Sequence, residues 1–519
     1  MTSLYDTYTS PLATRNASPE MLRLWSARHK FNTWRRVWLA VAEAMHEVGQ
    51  RAASVSERPT GADQPLPHAR GSSGPLVTQE QVEELRAVVE RGITDEEIRK
   101  AEEYERELRH DVMAHVHALG DSCPKARPII HLGMTSQDVV CNADALVLHS
   151  ALELVTQKLT RLWFCLFDFA GRWARTPTLG FTHYQPAQPT TVGRRAALWG
   201  RDIGMLRSRL EYLDEYVPYR GMKGATGTQA SFLELFNGDR GLVDKFEYLV
   251  QARLREGRAT LELVGQTYPR VFDTLFLADL ASVASVLHKI ATDIRLLANR
   301  KEIDEPFEDR QIGSSAMPYK RNPMRCERIC GLTRFVMNLV GNAYDTAATQ
   351  WLERTLDDSS NRRLSLPEAF LALDGALDLM HNVASGLIVH EAMVRRNLMA
   401  ELPFLATENI LMACVKLGAD RQDYHERIRQ HAQEAGMRVK QQGLDNDLLE
   451  RLREDPAFKS KAHGGMLDGE LDWEGVMDPM KYVGRSVEQT ERFIREVVEP
   501  LREQYAEAIS RLGESGPRV

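Results

Sequence analysis

Residues 142–173 read NADALVLHSALELVTQKLTRLWFCLFDFAGRW. Apolar side chains recur in this stretch too densely for a helix with one buried stripe, so it predicts a long helix that is buried on several faces. Such a helix belongs in the middle of a bundle. Similar patterns cover about 191–214, 272–300 and 323–349, with no convincing run of alternating strand residues between them. The sequence therefore predicts an all-α protein built around a bundle of long helices.

The composition is that of an ordinary globular protein, with 43% apolar and 27% charged residues in a chain of 519. A formal net charge of -7 gives no basic footprint, so neither nucleic acid nor a membrane is expected as a partner. Charges interrupt the apolar stretches, and the first ten residues, MTSLYDTYTS, lack the pattern of a signal peptide. The six cysteines include no Cys-x-x-Cys pair, which argues against a zinc site. We expect a cytoplasmic protein with reduced thiols.

The length of the chain predicts more than one structural unit. We expect an N-terminal helical domain over 1–135, a central long-helix bundle over 136–389 and a C-terminal helical domain over 390–519. The first long helix of the chain is expected to stop at Gly49. Residues 51–77, which are rich in Ser, Gly and Pro, predict a mobile surface loop.

Two polar clusters precede the longest helix. In the first, residues 109–117 (RHDVMAHVH), His110 is adjacent to Asp111, whose carboxylate can fix the tautomer of the ring. In the second, Thr135 and Ser136 supply hydroxyls at a helix start, where backbone N–H groups bind carboxylates or phosphates. A solvated helix face and an ordinary N-cap are the alternative interpretations.

Two further clusters contain residues suited to acid–base chemistry and to anion binding. His183 lies between hydroxyl-bearing neighbours in 182–191 (THYQPAQPTT), a segment that its prolines stiffen. A histidine held in this way can act as a general acid or base, although a lone loop histidine often has no role. The segment 353–363 (ERTLDDSSNRR) combines arginines with Ser and Asn, a set able to bind phosphate. A charged helix terminus is the alternative.

The segment 313–323 (GSSAMPYKRNP) contains two small hydroxyls, a cation and an amide in one short loop. An elimination beside a carboxylate needs such groups, because the negative charge that develops must be stabilised. The pattern Gly313-Ser-x-x-Met-x-x-Lys320-x-Asn322 resembles the signature loop of the fumarase/aspartase superfamily, whose members cleave a C–N or C–O bond and release fumarate. The loop is therefore the predicted seat of chemistry.

Other segments narrow the resemblance. Residues 10–15, 109–117, 182–188, 314–325 and 354–359 resemble the adenylosuccinate lyase family, particularly its animal form, and the similarity runs from about residue 8 to about residue 500. The resemblance implies a three-domain all-α fold and a homotetramer whose sites draw residues from three chains. It implies a C–N lyase of purine biosynthesis that acts on a small-molecule substrate, with no metal and no organic cofactor.

The resemblance also implies roles for individual residues. Ser314 is the expected general base and His183 the general acid, while His110 and Lys320 complete the catalytic set. The expected substrate-binding residues are Arg15, Asp111, Thr135, Ser136, Thr182, Gln266, Asn322, Arg328, Arg354, Ser359 and Arg363. One position departs from the family pattern: the family commonly has Arg-Tyr where this chain has Arg15-Asn16, so the shorter amide stands in place of a phenolic contact to the phosphate.

Two other functions are compatible with the same residues. The first is another lyase of the superfamily, acting on argininosuccinate or on an aspartate-type substrate. The second is a catalytically inactive helical scaffold, although such a protein would be expected to lose Ser314, His183 or Lys320. The arginines of 354–363 and Arg15 favour a substrate that carries a phosphate.

Overall fold

The computed structural model describes residues 6–55, 76–254 and 259–513. Most of the predicted surface loop over 51–77 lies outside these ranges. The helix that was expected to stop at Gly49 continues instead to Val55. A single glycine costs a helix only about 1 kcal/mol, which the good helix formers that follow in the sequence offset.

The regular structure of the described residues is almost entirely helical, which confirms the all-α prediction. Six strands of two residues each form three antiparallel pairs: β1 (Pro177–Thr178) with β4 (Thr190–Thr191), β2 (Phe181–Thr182) with β3 (Gln185–Pro186), and β5 (Ile303–Asp304) with β6 (Ile388–Val389). The helices are α1 (Pro19–Leu24), α2 (Ala27–Val55), α3 (Gln79–Arg91), α4 (Asp95–Leu108), α5 (Asp111–Ser122), α6 (Ser136–Arg172), α7 (Val192–Tyr216), α8 (Ala230–Leu235), α9 (Arg240–Leu254), α10 (Val271–Asn299), α11 (Met324–Ala348), α12 (Asp357–Ser385), α13 (Glu391–Leu405), α14 (Thr407–Lys416), α15 (Arg421–Gln442), α16 (Leu448–Glu454), α17 (Trp473–Val476), α18 (Ser486–Phe493) and α19 (Glu499–Ser510).

Five long helices, α6, α7, α10, α11 and α12, form the central bundle. Their directions follow from side-chain contacts: Arg362–Asp144 and Lys158–Asp374 between α12 and α6, His149–Asp214 between α6 and α7, Arg362–Asp273 between α12 and α10, and Arg325–Asn382 between α11 and α12. Helices α6, α10 and α12 are therefore parallel, and α7 and α11 run the opposite way. We call the end at which α6, α10 and α12 begin the N-end, and the opposite end the C-end.

The apolar patterns predicted four of these five helices. The bounds of α7, α10 and α11 lie within two residues of the prediction, and α6 begins at Ser136, six residues before the predicted stretch. Helix α12 was missed. Its first two turns are polar and Pro367 lies inside it, and a proline in a helical pattern is normally a sign that the helix ends.

Two bundle helices contradict the expectation that charges interrupt the apolar stretches before they reach membrane-spanning length. By length and hydropathy alone, Ser136–Arg172 and Val271–Asn299 are long and apolar enough to cross a membrane, as is the bent pair α13–α14 if it is counted as one span. In the fold, 67% of the most apolar window of α6 and 50% of that of α10 are buried within the protein. Their hydropathy thus reflects helices that are covered by other helices.

In the described part of the chain, buried apolar side chains form three separate clusters. The largest lies among the bundle helices, the second joins α2 to the start of α6 and to α9, and the third lies among helices α14 to α16. The second cluster contains both Trp34 and Phe246, so it includes residues from both sides of position 135. The division at 135 and 389 stays a prediction.

A buried group of charges joins α6 to α12 in the middle of the bundle. Lys158 Nζ donates to Asp374 Oδ1 at 2.5 Å and to Asp378 Oδ2 at 2.7 Å. The second oxygen of Asp374 accepts the backbone N–H of Ser18 at 2.6 Å, which ties the N-terminal segment to the bundle. Since the Asp374 side chain is fully buried, removing it would leave Lys158 with less compensation in an apolar interior.

We therefore expect Asp374→Ala to lower the unfolding free energy by about 3 kcal/mol or more, visible as a lower Tm. The control is Asp168→Ala, which removes a carboxylate from the exposed pair with Arg502 and should cost less than about 1 kcal/mol. Equal shifts in Tm for the two variants would contradict the importance given to the buried pair.

A histidine is buried among the aromatic residues that join α2 to α5. The His115 ring stacks on Phe31 with 3.8 Å between ring centroids and meets the Trp34 ring edge-on at 5.5 Å. Burial, with help from Arg35 and Lys30, lowers the pKa of His115 from 6.5 to about 4. The unfolded chain therefore takes up a proton that the folded chain does not, and His115 destabilises the fold as the pH falls from about 6.5 to about 4.

His115→Gln should make stability fall less steeply as the pH is lowered from about 6.5, because glutamine does not titrate. The measurement is Tm for both proteins between about pH 7.5 and pH 5. The variant should be less stable at pH 7.5, since the ring contacts are lost, but should lose less further stability in acid. An unchanged slope would show that other groups cause the acid sensitivity.

Candidate active site

The first group of predicted site residues lies at the N-end, around the start of α5. His110 is the N-cap of α5, and its Nδ1 accepts the backbone N–H of Met113 at 3.4 Å. In the neutral ring the proton is then on Nε2, which lies 3.3 Å from Ser136 Oγ at the start of α6. This contact brings together two residues that are 26 positions apart in the sequence.

Asp111 links this turn to α12. Its Oδ2 accepts from Arg363 Nη2 at 2.5 Å. Burial alone would raise the pKa of Asp111, but Arg363 and the backbone N–H of Val112 outweigh it and lower the pKa. Asp111 is therefore an ionised carboxylate that holds one of the predicted phosphate-binding arginines.

The start of α6 is fastened to a glycine-rich connection, residues 220–229. Thr135 N–H donates to Asp138 Oδ2 at 2.7 Å, and Asp138 Oδ1 accepts the N–H groups of Lys223 at 2.8 Å and Gly224 at 3.1 Å. The same oxygen also accepts from Arg220, whose side chain is fully buried. These bonds fix the helix start that carries Thr135 and Ser136.

Gln266 and Arg354 contact each other at the same end. Arg354 Nη1 donates to Gln266 Oε1 at 3.0 Å, and Gln266 Nε2 donates to the carbonyl of Ala225 at 3.0 Å. A Cβ at Gly265 would lie 2.6 Å from the carbonyl oxygen of Glu353, so the two segments approach closely only because glycine stands there. Residues from three loops thus meet beside the start of α12.

The first turns of α12 line a cavity of about 340 Å³ that also touches α1, α2 and α6. Ser359 and Arg363 belong to its wall. Arg362 also lines it, but its guanidinium donates to Asp273 at 2.6 Å and to Asp144 at 3.0 Å. Among the arginines of 354–363, Arg362 therefore has mainly a structural role.

The second group lies at the C-end. The loop over 313–323 connects β5 to α11, and Ser314 Oγ accepts the backbone N–H groups of Met317 at 3.2 Å and Ala316 at 3.4 Å. Asn322 Nδ2 donates to the carbonyl of Gly313 at 2.9 Å and closes the base of the loop. Lys320 is exposed. The amide expected to face a substrate carboxylate instead holds the loop together.

His183 lies at the tip of the hairpin formed by β2 and β3. His183 and Tyr184 have φ angles of 54° and 57°, the left-handed values that a two-residue turn of this type requires. Both residues and Thr182 are exposed. Beneath them, the guanidinium carbon of Arg300, which follows α10, lies 4.7 Å from the centroid of the Phe181 ring, so the hairpin also belongs to the C-end.

Arg15 lies in the helical turn Leu12–Asn16, which packs against α12. Burial lowers the pKa of Arg328, and Arg15 lowers it further, so these two predicted substrate contacts are close to each other. Asn16 Nδ2 donates to the carbonyl of Pro11 at 2.9 Å. The residue that replaces the usual tyrosine is therefore bonded within its own turn.

Two residues outside the predicted set lie beside the N-end group. His131 Nδ1 accepts from Trp38 Nε1 at 3.2 Å, and burial lowers the pKa of His131, with His110 adding to the effect. Lys30, on α2, lines the same cavity as Ser359 and Arg363. The described residues contain no group of three or more His, Cys, Asp or Glu arranged to hold a metal ion.

Comparison with known proteins identifies the family. The family model described as lyase matches residues 14–338, and the model of the adenylosuccinate lyase C-terminus matches 403–493. Adenylosuccinate lyase of Schizosaccharomyces pombe is 46% identical over 95% of both chains, that of Saccharomyces cerevisiae 45% over 95% of both, and that of Schistosoma mansoni 41% over 98% of both. The chain belongs to the adenylosuccinate lyase family. The predicted resemblance is thus confirmed.

Solved structures agree on the fold of this adenylosuccinate lyase family member. The 3-carboxy-cis,cis-muconate lactonizing enzyme of Pseudomonas putida has a TM-score of 0.74 at 23% identity, covering 96% of this chain and 99% of its own. The fumarate lyase of Mesorhizobium sp. BNC1 has a TM-score of 0.71 at 21% identity, covering 94% and 100%. The predicted fumarase/aspartase-like fold is confirmed.

Within one chain of this family member, the predicted site residues form two separate groups. The N-end group contains His110, Asp111, Thr135, Ser136, Gln266, Arg354, Ser359 and Arg363, and the C-end group contains Arg15, Thr182, His183, Ser314, Lys320, Asn322 and Arg328. Helix α6, which runs between the two ends, has 37 residues and therefore spans about 55 Å. One chain does not bring the two groups together.

Proposed function

We propose that the protein is an adenylosuccinate lyase of purine nucleotide biosynthesis, a C–N lyase. It eliminates fumarate from adenylosuccinate to give AMP, and from succinyl-aminoimidazole carboxamide ribotide to give the carboxamide ribotide. The observation that carries the proposal is 46% identity to a relative of that name over 95% of both chains. The loop of residues 313–323 and the residues at the start of α12 add chemical support.

The geometry of the loop suits removal of a proton. A serine is a poor base unless its alkoxide is stabilised, and Ser314 Oγ already accepts two backbone N–H groups, from Ala316 and Met317. Lys320 supplies a nearby positive charge. In the proposal, Ser314 takes the proton beside the substrate carboxylate, and Lys320 and Asn322 stabilise the charge that develops there.

Loss of the leaving nitrogen requires a proton donor. His183 is exposed at the tip of a tight turn, so its ring can enter a site formed against another surface. At the N-end, Arg354, Ser359 and Arg363 form a set suited to the phosphate of the substrate. His110, Thr135, Ser136 and Gln266 lie beside them and complete the proposed nucleotide and succinyl contacts.

A complete site then requires more than one chain, because the two groups lie towards opposite ends of a bundle whose helix α6 is about 55 Å long. We propose a homotetramer in which each site combines groups from different chains. Large apolar side chains exposed on bundle helices, such as Met205 (58% exposed) and Leu364 (63% exposed), support burial of these surfaces against other copies. The six cysteines are unpaired, which supports the proposed cytoplasmic location.

The purified protein should convert adenylosuccinate, observed as loss of its absorbance band, and should release fumarate. His183→Ala and Ser314→Ala should each lower kcat by about 10²-fold to 10⁴-fold, the usual contribution of a general acid or base. Argininosuccinate is the control substrate and should not release fumarate. Release from argininosuccinate alone would favour another lyase of the superfamily, and no release from any of the substrates would favour an inactive scaffold.

Sharing of sites between chains predicts complementation. When inactive His110→Ala and Ser314→Ala proteins are dissociated and reassembled together, about a quarter of the sites should regain both residues if the chains mix at random. Activity should therefore return. The control is a mixture of His110→Ala with Asp111→Ala, which should stay inactive because both residues come from the same end of one chain. Recovery in neither mixture would contradict the shared site.

A further inference from the structure

The 340 Å³ cavity at the start of α12 has a mixed wall. One side is apolar and includes Trp25, Phe31 and Leu366. The other side carries the charges of Lys30, Asp144, Arg362 and Arg363, together with the hydroxyl of Ser359. A cavity with an apolar wall and a few convergent polar groups is the usual form of a small-molecule site.

Two of the three cations in this wall already have carboxylate partners. Arg362 donates to Asp273 at 2.6 Å and to Asp144 at 3.0 Å. Arg363 donates to Asp111 at 2.5 Å. The positive charge of both guanidinium groups is therefore largely compensated before any ligand enters.

Lys30 differs from these two arginines. Among the residues that the structure describes, no carboxylate lies within 4.0 Å of its ammonium group, the limit for an ion pair. Its Nζ instead lies 4.9 Å from the Trp34 ring centroid and 5.5 Å from that of Phe31. Burial lowers the pKa of Lys30 and the charge of Arg363 lowers it further, while the carboxylates of Asp144, Asp111 and Glu105, all beyond ion-pair distance, oppose the shift without reversing it. A half-buried ammonium without an ion-pair partner is unfavourable, and an anion bound directly to it in the cavity would relieve this cost.

We infer that Lys30 is a further substrate-binding residue, whose ammonium group contacts a phosphate that Ser359 and Arg363 also contact. The inference rests on the proposed function, because it takes the phosphate of the nucleotide as the occupant. A phosphate carries two negative charges near neutral pH and three acceptor oxygens, so it can accept from an ammonium, a guanidinium and a hydroxyl at once. A carboxylate carries only one negative charge and would compensate less of the positive charge of Lys30 and Arg363.

The test removes the charge of Lys30 and keeps an apolar side chain of similar length. Lys30→Met retains an apolar chain to pack over Trp34, so the fold should be preserved. We expect KM for adenylosuccinate to rise about tenfold or more, the effect of losing one hydrogen bond to a charged group, with kcat changed by less than about threefold. Lys30→Arg should restore most of the affinity. The control is Lys125→Met, which removes an exposed lysine paired with Glu80 on α3 and should behave as wild type.

Inhibitors identify which part of the ligand Lys30 contacts. AMP and inorganic phosphate should each inhibit Lys30→Met about tenfold more weakly than wild type, whereas inhibition by adenosine, which has no phosphate, should be unchanged. Equal weakening for AMP and adenosine would overturn the phosphate contact. Unchanged KM together with a lower Tm would also overturn the inference, since Lys30 would then only stabilise α2 through the ring contacts.

Thermal unfolding separates failure of this inference from failure of the proposed function. Inorganic phosphate should raise the Tm of wild type and of Lys125→Met, and should raise that of Lys30→Met much less. This readout needs no turnover. If no substrate releases fumarate but phosphate protects in this pattern, the proposed reaction is wrong and the Lys30 site stands. Equal protection of Lys30→Met would overturn the Lys30 site even in an active enzyme.

Discussion

The alignment of α6 with α12 is the constraint on which the rest of the structure depends. Apolar packing alone lets two long helices slide past each other by a turn at modest cost, since one apolar contact replaces another. Charged contacts at two levels prevent this: Arg362 with Asp144 near the N-end, and Lys158 with Asp374 and Asp378 farther along. A shift by one turn would leave a charge buried without its partner, which costs several kcal/mol. These pairs therefore set the direction and the register of the bundle.

This alignment also decides what one chain can do. Because α6, α10 and α12 begin together, the phosphate-type residues of α12 meet His110 and Ser136 at one end, and the loops that follow α10 and α6 bring Ser314 and His183 to the other. The bundle that positions each group also keeps the two groups apart. Long helices therefore hold the residues of each group in place, but chains must associate to form a complete site.

The sequence predicted the parts of the fold that depend on local pattern. Dense apolar residues predict α6, α7, α10 and α11, because burial on several faces leaves a signal in any window of the sequence. Helix α12 was not predicted, because its first two turns are polar and Pro367 lies inside it, so that its stability depends on tertiary contacts. Sequence motifs predicted the members of the candidate site but not their separation into two groups. That separation follows from ion pairs between residues such as Lys158 and Asp374, which are 216 positions apart in the sequence. Lys30 gave no signal, since a lysine next to an apolar stripe is usually solvated.

The charges at the N-end show how a chain can carry an anion site before the anion arrives. Clustered arginines repel one another, and here each is held by a carboxylate: Arg270 by Asp358, Arg362 by Asp273 and Arg363 by Asp111. The deeply buried pairs, Arg270–Asp358 and Arg362–Asp273, already have their charges compensated and serve the fold. Arg363 is different, because its side chain is 55% exposed and its pair with Asp111 is open to competition. A phosphate that enters can therefore bind Arg363 together with Asp111 while the fold stays intact. The ammonium of Lys30 then supplies positive charge in place of the charge on Arg363 that Asp111 neutralises.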